Sequence, residues 1–95
     1  MSTRISRVDT NQPEIVKDLK KLGYSVCHIH QIGKGCPDIM VGWGGVTYLV
    51  EIKNDGGKLT PDEEAWHKNW RGDVIIAYNT EDIIKHIEEK IMEGL

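Results

Sequence analysis

An acid pair and a lysine stand at positions that a single β-hairpin would bring together. Asp38 opens one strand-like run, Glu51 and Lys53 close the next, and the dipeptide Gly44-Gly45 separates the two runs. Such a dipeptide is typical of a two-residue hairpin turn, and counting outward from it places Asp38 opposite Glu51. Directly opposed residues have Cβ atoms roughly 4.5–5.5 Å apart. A turn longer by two residues would shift the register but leave both acids on the same face.

Two carboxylates side by side repel each other, and a divalent cation such as Mg²⁺ between them is the simplest remedy. Lys53 lies two residues beyond Glu51 and therefore projects from the same face. The opposite face is apolar, with Ile39, Val41, Val50 and Ile52. In metal-assisted phosphodiester hydrolysis, acids hold the ion that activates a water, and a lysine positions that water or stabilises the transition state. The spacing predicts this chemistry, with Asp38 and Glu51 as metal ligands and Lys53 as the positioning group.

The sequence around the hairpin predicts further elements that would position it. Helices are predicted at 9–22, where Asp9 and Gln12 resemble a capping box, at 60–70, and from 79 or 80 onward. The second helix has Thr60 as N-cap, Pro61 at its first position and Glu63 reaching back to close a capping box. Strands are predicted at 24–29, 38–43, 46–53 and 74–78. This order, α-β-β-β-α-β-α, indicates an α/β fold with a mixed sheet flanked by helices. The last strand follows a helix, so we expect it to lie parallel to its neighbour after a right-handed crossover.

Length and composition limit the alternatives. With 95 residues, the chain is expected to form one domain over 9–95, preceded by a flexible arm over 1–8. The net charge of −3 argues against a broad phosphate-binding surface but leaves a local one open. No apolar run is long enough to span a bilayer, and the N-terminus lacks the apolar segment of a secretory signal. These features predict a cytoplasmic protein with no organic cofactor, in which Cys27 and Cys36 are free thiols.

Three sequence motifs resemble a known family. They are Gly35-Cys36-Pro37-Asp38, then Glu51-Ile52-Lys53, then Gly57-Lys58-Leu59-Thr60-Pro61 with Trp66 in the following helix. Together they resemble the VRR-NUC branch of the PD-(D/E)xK nucleases, and small stand-alone phage and prophage proteins of that branch look especially similar. The resemblance runs from Asp9 to the last helix. It implies a restriction-endonuclease-like core and an endonuclease that uses Mg²⁺ or Mn²⁺, held by Asp38, Glu51 and the main-chain carbonyl of Ile52.

The resemblance also raises questions about individual side chains. Family members place an acid in the first helix, and Glu14 fits that slot. They often carry Gln in the helix after the motif, where this chain has Glu63 and Glu64, so the extra charge could alter metal binding or DNA contact. Lys34 and Lys58 are candidate phosphate contacts, although solvated loop lysines would look the same.

Two other functions compete with the nuclease. One is a catalytically silent DNA-binding module of the same fold, which the intact Asp38, Glu51 and Lys53 set argues against. The other is a small zinc domain, with Cys27, His28, His30 and Cys36 as candidate ligands. His28 and His30 are predicted to share a strand face, but Cys27 points the other way, Cys36 is distant, and no pair has the usual C-x₂-C spacing.

The aromatic residues and the substrate leave further alternatives open. Trp66 and Trp70 lie four apart on a helix, which favours core or interface packing over a base-stacking platform. Trp43 beside the hairpin turn could touch DNA or a partner subunit. A domain this small suggests structure-selective cleavage of junctions, flaps or branched DNA. Apolar residues on its helices suggest a homodimer.

Overall fold

The computed structural model describes residues 10–94. Its elements in chain order are α1 (Gln12–Lys21), β1 (Ser25–His28), β2 (Ile39–Trp43), β3 (Val46–Ile52), α2 (Pro61–Asn69), β4 (Val74–Ala77) and α3 (Thr80–Glu93). This order confirms the predicted α/β fold. The predicted arm over 1–8 and the Asp9 part of the capping box lie outside the described residues. No helix within 10–94 combines the length and apolar character needed to cross a bilayer.

One mixed sheet carries the strands in the order β1-β2-β3-β4. The first three strands are antiparallel and β4 pairs parallel with β3, as predicted. The hairpin register is the predicted one, because Trp43 pairs with Val46 and Met40 with Leu49. Gly44 and Gly45 have φ values of 61° and 80°, the positive values at both central positions that a type I′ turn requires. The turn chemistry therefore fixes which residues face each other at the far end of the hairpin.

The core lies between the sheet and the pair of helices α1 and α3. Both helices contact the sheet and each other, and their buried side chains meet those of alternate strand residues. The fully or nearly buried members are Ile15, Val16, Leu19, Ile39, Val41, Tyr48, Val50, Ile52, Ile75, Ala77, Ile83 and Ile87. Because strand side chains alternate between faces, Met40, Leu49 and Glu51 point away from this core. Helix α2 approaches the sheet on that second side, at Glu51.

The first strand is shorter than predicted. It ends at His28 instead of Ile29, and His30–Ile32 form a short 3₁₀ helix. The backbone N–H groups of Ile29 and His30 both donate to the carbonyl of Asp38, at 2.9 and 3.1 Å. This shared acceptor turns the chain out of the sheet, so the prediction that His28 and His30 share a strand face is wrong.

The helix starts use their polar residues differently. Thr60 and Glu63 form the predicted capping box of α2, and Asn79 accepts from the Asp82 N–H at the start of α3. Asn11 precedes α1 but makes no cap hydrogen bond. Its Nδ2 instead donates to the carbonyls of Lys53 and Tyr78, at 3.1 and 3.0 Å. Asn11 therefore ties the N-terminus of α1 to the chain just beyond both parallel strands.

The loop before β2 packs against the first turn of α2 without room for a side chain. A Cβ on Gly35 would lie 2.3 Å from the carbonyl oxygen of Asp62, whereas one on Gly33 would meet nothing within 4 Å. Both glycines have positive φ, 85° and 79°. Gly33 and Gly35 therefore form a matched pair that separates backbone strain from steric overlap.

We expect Gly33→Ala to lower the free energy of unfolding by about 1–3 kcal/mol through backbone strain alone. Gly35→Ala should cost a further 1–3 kcal/mol or so, because α2 must move away from the loop. Urea denaturation of the two variants beside wild type measures the difference. Equal stability of the two variants would show that the contact between Gly35 and Asp62 is not tight.

Candidate active site

Two buried carboxylates meet at the open end of the β2–β3 hairpin. Asp38 directly precedes β2, and Glu51 follows Val50, the register partner of Ile39. The two acids are 7% and 1% exposed. The Asp38 N–H donates to the Val50 carbonyl at 3.0 Å, and the Ile52 N–H donates to Asp38 Oδ2 at 2.7 Å. The backbone of one strand thus fixes the carboxylate of the other. The Ile52 peptide lies against Asp38, while the Ile52 side chain is buried in the core.

Glu51 is held where its charge is disfavoured. Burial, the neighbouring Asp38 and Glu63 raise the Glu51 pKa to about 10, and Lys53 only partly opposes them. Its Oε1 is buried and has no hydrogen-bond partner among the described residues. A buried acceptor without a partner is costly, and a hard cation would satisfy it and offset the repulsion. The donor chemistry of this pair therefore fits a divalent metal ion.

Lys53 lies beside the acid pair and is held by α2. Its Nζ is 2.6 Å from Glu63 Oε1 and 3.9 Å from Glu51 Oε2, with the lysine side chain 12% exposed. Glu63 Oε1 also accepts from the Thr60 N–H at 2.9 Å. Burial tends to raise the Glu63 pKa, but the hydrogen bonds from Lys53 and Thr60 outweigh it and lower the pKa. Of the two acids that the sequence left unplaced, Glu63 thus faces the site and Glu64 is exposed to solvent.

His67 is a member of this cluster that the sequence analysis missed. Its Nε2 is 3.9 Å from Glu51 Oε1, and its side chain is 12% exposed. That nitrogen is buried and has no hydrogen-bond partner within residues 10–94. Burial lowers the His67 pKa, which favours the neutral imidazole. The available signal was its position four residues after Glu63, because residues i and i+4 share a helix face.

The first helix presents a different residue from the one expected. Glu14 is exposed and lines a groove on the outside of α1 together with Asp18 and Glu81. Gln12 is the buried polar residue of α1, 1% exposed, and its Nε2 is 3.4 Å from His28 Nδ1. Gln12 is therefore the α1 side chain that reaches the end of β1 nearest Asp38. A catalytic role for Glu14 stays a prediction.

The residues proposed from the sequence to contact phosphate or zinc do not come together in the structure. Lys34 and Lys58 are both exposed on loops. Cys27 and Cys36 are free, as predicted, and no group of three or more His, Cys, Asp or Glu side chains in residues 10–94 is arranged to hold a metal. The structure therefore lends no support to a zinc domain. At the acid pair, main-chain and solvent oxygens would have to complete the coordination of an ion.

The fold and the acid–lysine hairpin together define a nuclease-like α/β domain. Among solved structures, a VRR_NUC domain matches this chain with a TM-score of 0.64 and 25% sequence identity, over 81% of this chain and 89% of the other. No family model and no curated protein matches the sequence. The structural match confirms the resemblance to the VRR-NUC branch that the three motifs indicated. The domain has the VRR-NUC fold.

The burial of Glu51 predicts a pH-dependent stability of the metal-free protein. An acid whose folded pKa lies above its ordinary value of 4.5 binds more protons in the folded state, so stability falls as pH rises from there toward 10. Glu51→Gln keeps the shape and removes the titration. We expect it to stabilise the metal-free protein at pH 8 by about 1–3 kcal/mol.

Melting temperatures measured in EDTA from about pH 5 to about pH 9, on either side of neutrality, test this expectation. The matched control is Glu64→Gln, since Glu64 is exposed on the same helix as Glu63. Parallel pH profiles for wild type and Glu51→Gln would mean that Glu51 keeps an ordinary pKa.

Proposed function

We propose that this domain is a metal-dependent endonuclease that hydrolyses phosphodiester bonds in DNA. The observation that carries the proposal is the buried pair of Asp38 and Glu51, with the Lys53 ammonium beside it on the same hairpin face. A purely structural surface would expose these charges or pair each with a partner. Concentrating them where one oxygen is unpartnered costs stability, as functional sites commonly do.

Asp38, Glu51 and the main-chain carbonyl of Ile52 are the groups that would hold Mg²⁺ or Mn²⁺. Hard cations prefer such oxygen ligands, and Asp38 is already oriented by the Ile52 N–H. Once bound, the ion supplies Lewis-acid chemistry and a water of lowered pKa. The protein contributes two fixed carboxylates and a site that is nearly closed to solvent.

Lys53 contributes a positioned positive charge. Its ammonium contacts Glu63 Oε1 at 2.6 Å and lies 3.9 Å from Glu51 Oε2, which keeps the charge beside the acid pair. The geometry suits an ammonium that orients the attacking water or offsets charge on the phosphate as the bond breaks. Glu63 then acts through Lys53, because it anchors the amine while it is itself anchored at the start of α2.

DNA is the substrate that the family likeness favours, since the similar solved structure is a VRR_NUC domain. The nuclease-like fold takes up residues 10–94, and these residues contain no second recognition unit. Long-sequence readout needs more surface than this. We therefore propose selection by DNA structure, such as a junction, a flap or a branch point.

Lys53→Ala should nearly abolish cleavage while metal binding is retained. The loss of one preorganised electrostatic donor typically lowers a rate by about 10²–10³. Single-turnover cleavage of branched and linear DNA in Mg²⁺ measures the effect, with Lys85→Ala as the matched control because Lys85 is exposed on α3. Cleavage by Lys53→Ala at the wild-type rate would remove its catalytic role. Binding without any cleavage by wild type would favour the silent DNA-binding module.

Metal binding should depend on Asp38 but not on Lys53. Calorimetric titration with Mg²⁺ or Mn²⁺ should show binding to wild type and to Lys53→Ala, and strongly weakened binding to Asp38→Asn. Bound metal should also raise the melting temperature by mass action. Equal affinity of Asp38→Asn and wild type would exclude Asp38 as a ligand.

A homodimer is the expected assembly. Strand β4 forms one edge of the sheet; Ile76 on this strand is 42% exposed, and Tyr78 just after it is 40% exposed. Ile76 is the register partner of Glu51, so a two-fold axis across this edge would bring two active sites near each other. Light scattering should report a dimer for wild type and a monomer for Ile76→Lys. The control is Met92→Lys, at a position 67% exposed on α3, and a monomeric wild type would exclude paired cleavage.

A further inference from the structure

A recess bordered by two tryptophans lies on the side of α2 next to the face that carries His67. It has a volume of about 320 Å³ and is lined by Lys34, Asp62, Ala65, Trp66, Asn69 and Trp70. That volume is at the lower end of the range for small-molecule sites. These α2 positions follow the i, i+3, i+4 spacing of one helix stripe, whereas Glu63 and His67 lie on the neighbouring stripe.

The two indoles form a preorganised aromatic surface. The ring centroids of Trp66 and Trp70 are 4.8 Å apart with an interplanar angle of 16°, so the rings are stacked. Trp70 is nevertheless 46% exposed. The backbone at Gly72 closes the nitrogen edge of the Trp70 ring, since a Cβ there would lie 2.8 Å from Nε1. One face of Trp70 thus remains open while the ring itself is held from two sides.

The recess adjoins the proposed active site. Trp66 contacts the imidazole of His67 edge to face, with centroids 5.7 Å apart, and His67 faces Glu51. A helix with its side chains is about 10–12 Å across. This distance corresponds to roughly three base steps of 3.4 Å along one nucleic-acid strand. A strand cleaved at the acid pair can therefore reach the recess within a few nucleotides.

We propose that this recess, built by Lys34, Trp66 and Trp70, binds an unpaired base of the DNA strand that enters the active site. Aromatic faces stack on bases of any sequence, and a neighbouring cation holds the backbone phosphate. Lys34 supplies that cation at the mouth of the recess. A base inside a duplex has both faces covered by its neighbours, so only an unpaired nucleotide can use the open face of Trp70.

The polar residues of the recess fit a base better than a phosphate inside it. The Asp62 carboxylate would repel a phosphate but can accept a hydrogen bond from a base amino group. Asn69 donates from Nδ2 to the Ala65 carbonyl at 2.9 Å, which leaves its Oδ1 available as a second acceptor. Lys34 is the cation that lines the recess, and its side chain is exposed at the surface.

The proposal rests on the proposed function, because it assumes DNA as the ligand, but binding tests it without cleavage. The probes are a blunt duplex and the same duplex with a single-stranded flap, titrated in Ca²⁺ by fluorescence anisotropy. Trp70→Leu should weaken flap binding roughly tenfold, as expected for the loss of one stacked base. Its affinity for the blunt duplex should stay within about twofold of the wild-type affinity. Trp70→Phe, which keeps a stacking face, should restore most of the affinity.

A series of flaps with one abasic position each makes the test specific. When the abasic position is the one that occupies the recess, the affinity of wild type for the flap should fall by the same factor of about ten. The affinity of Trp70→Leu should not fall further, because this variant has already lost the stacking interaction. Lys34→Gln should lower the salt dependence of flap binding by about one phosphate contact. The matched aromatic control is Trp43→Leu, at a residue 40% exposed beside the far hairpin turn.

Each other outcome contradicts either base binding in the recess or the nuclease activity of the domain. If wild type cuts DNA but Trp70→Leu binds flaps normally, or loses flap and duplex binding equally, the recess does not hold a base. If Trp70→Leu becomes a monomer by light scattering, the recess is a subunit contact. If flap binding depends on Trp70 but wild type cuts no DNA, the recess does bind a base and the proposed nuclease activity is wrong. If wild type binds neither probe, both are wrong.

Discussion

The hydrogen bond from the Ile52 N–H to Asp38 Oδ2, 2.7 Å long, is the contact on which the rest of the site depends. It fixes one carboxylate against the strand that carries the other, so Glu51 is buried beside a like charge. The resulting rise in the Glu51 pKa to about 10 shows how strongly this position disfavours a second negative charge without a counter-ion. Lys53 adds positive charge beside that pair, and Glu63 and His67 of α2 cover it, although the Glu63 charge further disfavours ionised Glu51.

Helix α2 links its own formation to the placement of the lysine. Glu63 Oε1 accepts from both the Thr60 N–H and the Lys53 ammonium, so a single oxygen closes the capping box and anchors the amine. A capping box normally contributes only to helix stability. Here the same carboxylate has a second partner on the sheet. Glu63 therefore has a structural use in this chain beyond the helix cap.

The sequence predicted the sheet because its strongest signals are local. The Gly44-Gly45 turn fixed the hairpin register, and the Thr60 capping box fixed the start of α2. Those features depend on neighbouring residues alone, so they can be recognised without knowing the rest of the fold. The parallel placement of β4 also followed, because the handedness of crossovers leaves few topologies.

What the sequence did not predict depends on contacts between distant segments. His67 lies sixteen residues after Glu51, and its one local signal, the i+4 position after Glu63, has meaning only once Glu63 is known to face the site. Gln12 rather than Glu14 is buried because Gln12 lies on the same stripe of α1 as Ile15 and Leu19; the spacing carried this signal, but a polar residue on that stripe was not expected to be buried. The early end of β1 at His28 follows from one carbonyl, that of Asp38, which accepts from two successive N–H groups.

The contact between Gly35 and Asp62 also limits how this domain can change during evolution. The loop that leads into Asp38 and the first turn of α2 touch backbone to backbone, so neither can lengthen without separating the acid from the helix that holds its lysine. The hairpin tip at Gly44-Gly45 has open space around it instead. Insertions are therefore tolerated at the tip and excluded beside the acids. Lineages that acquire new specificities should build them outward from the tip and keep the loop at Gly35 at constant length.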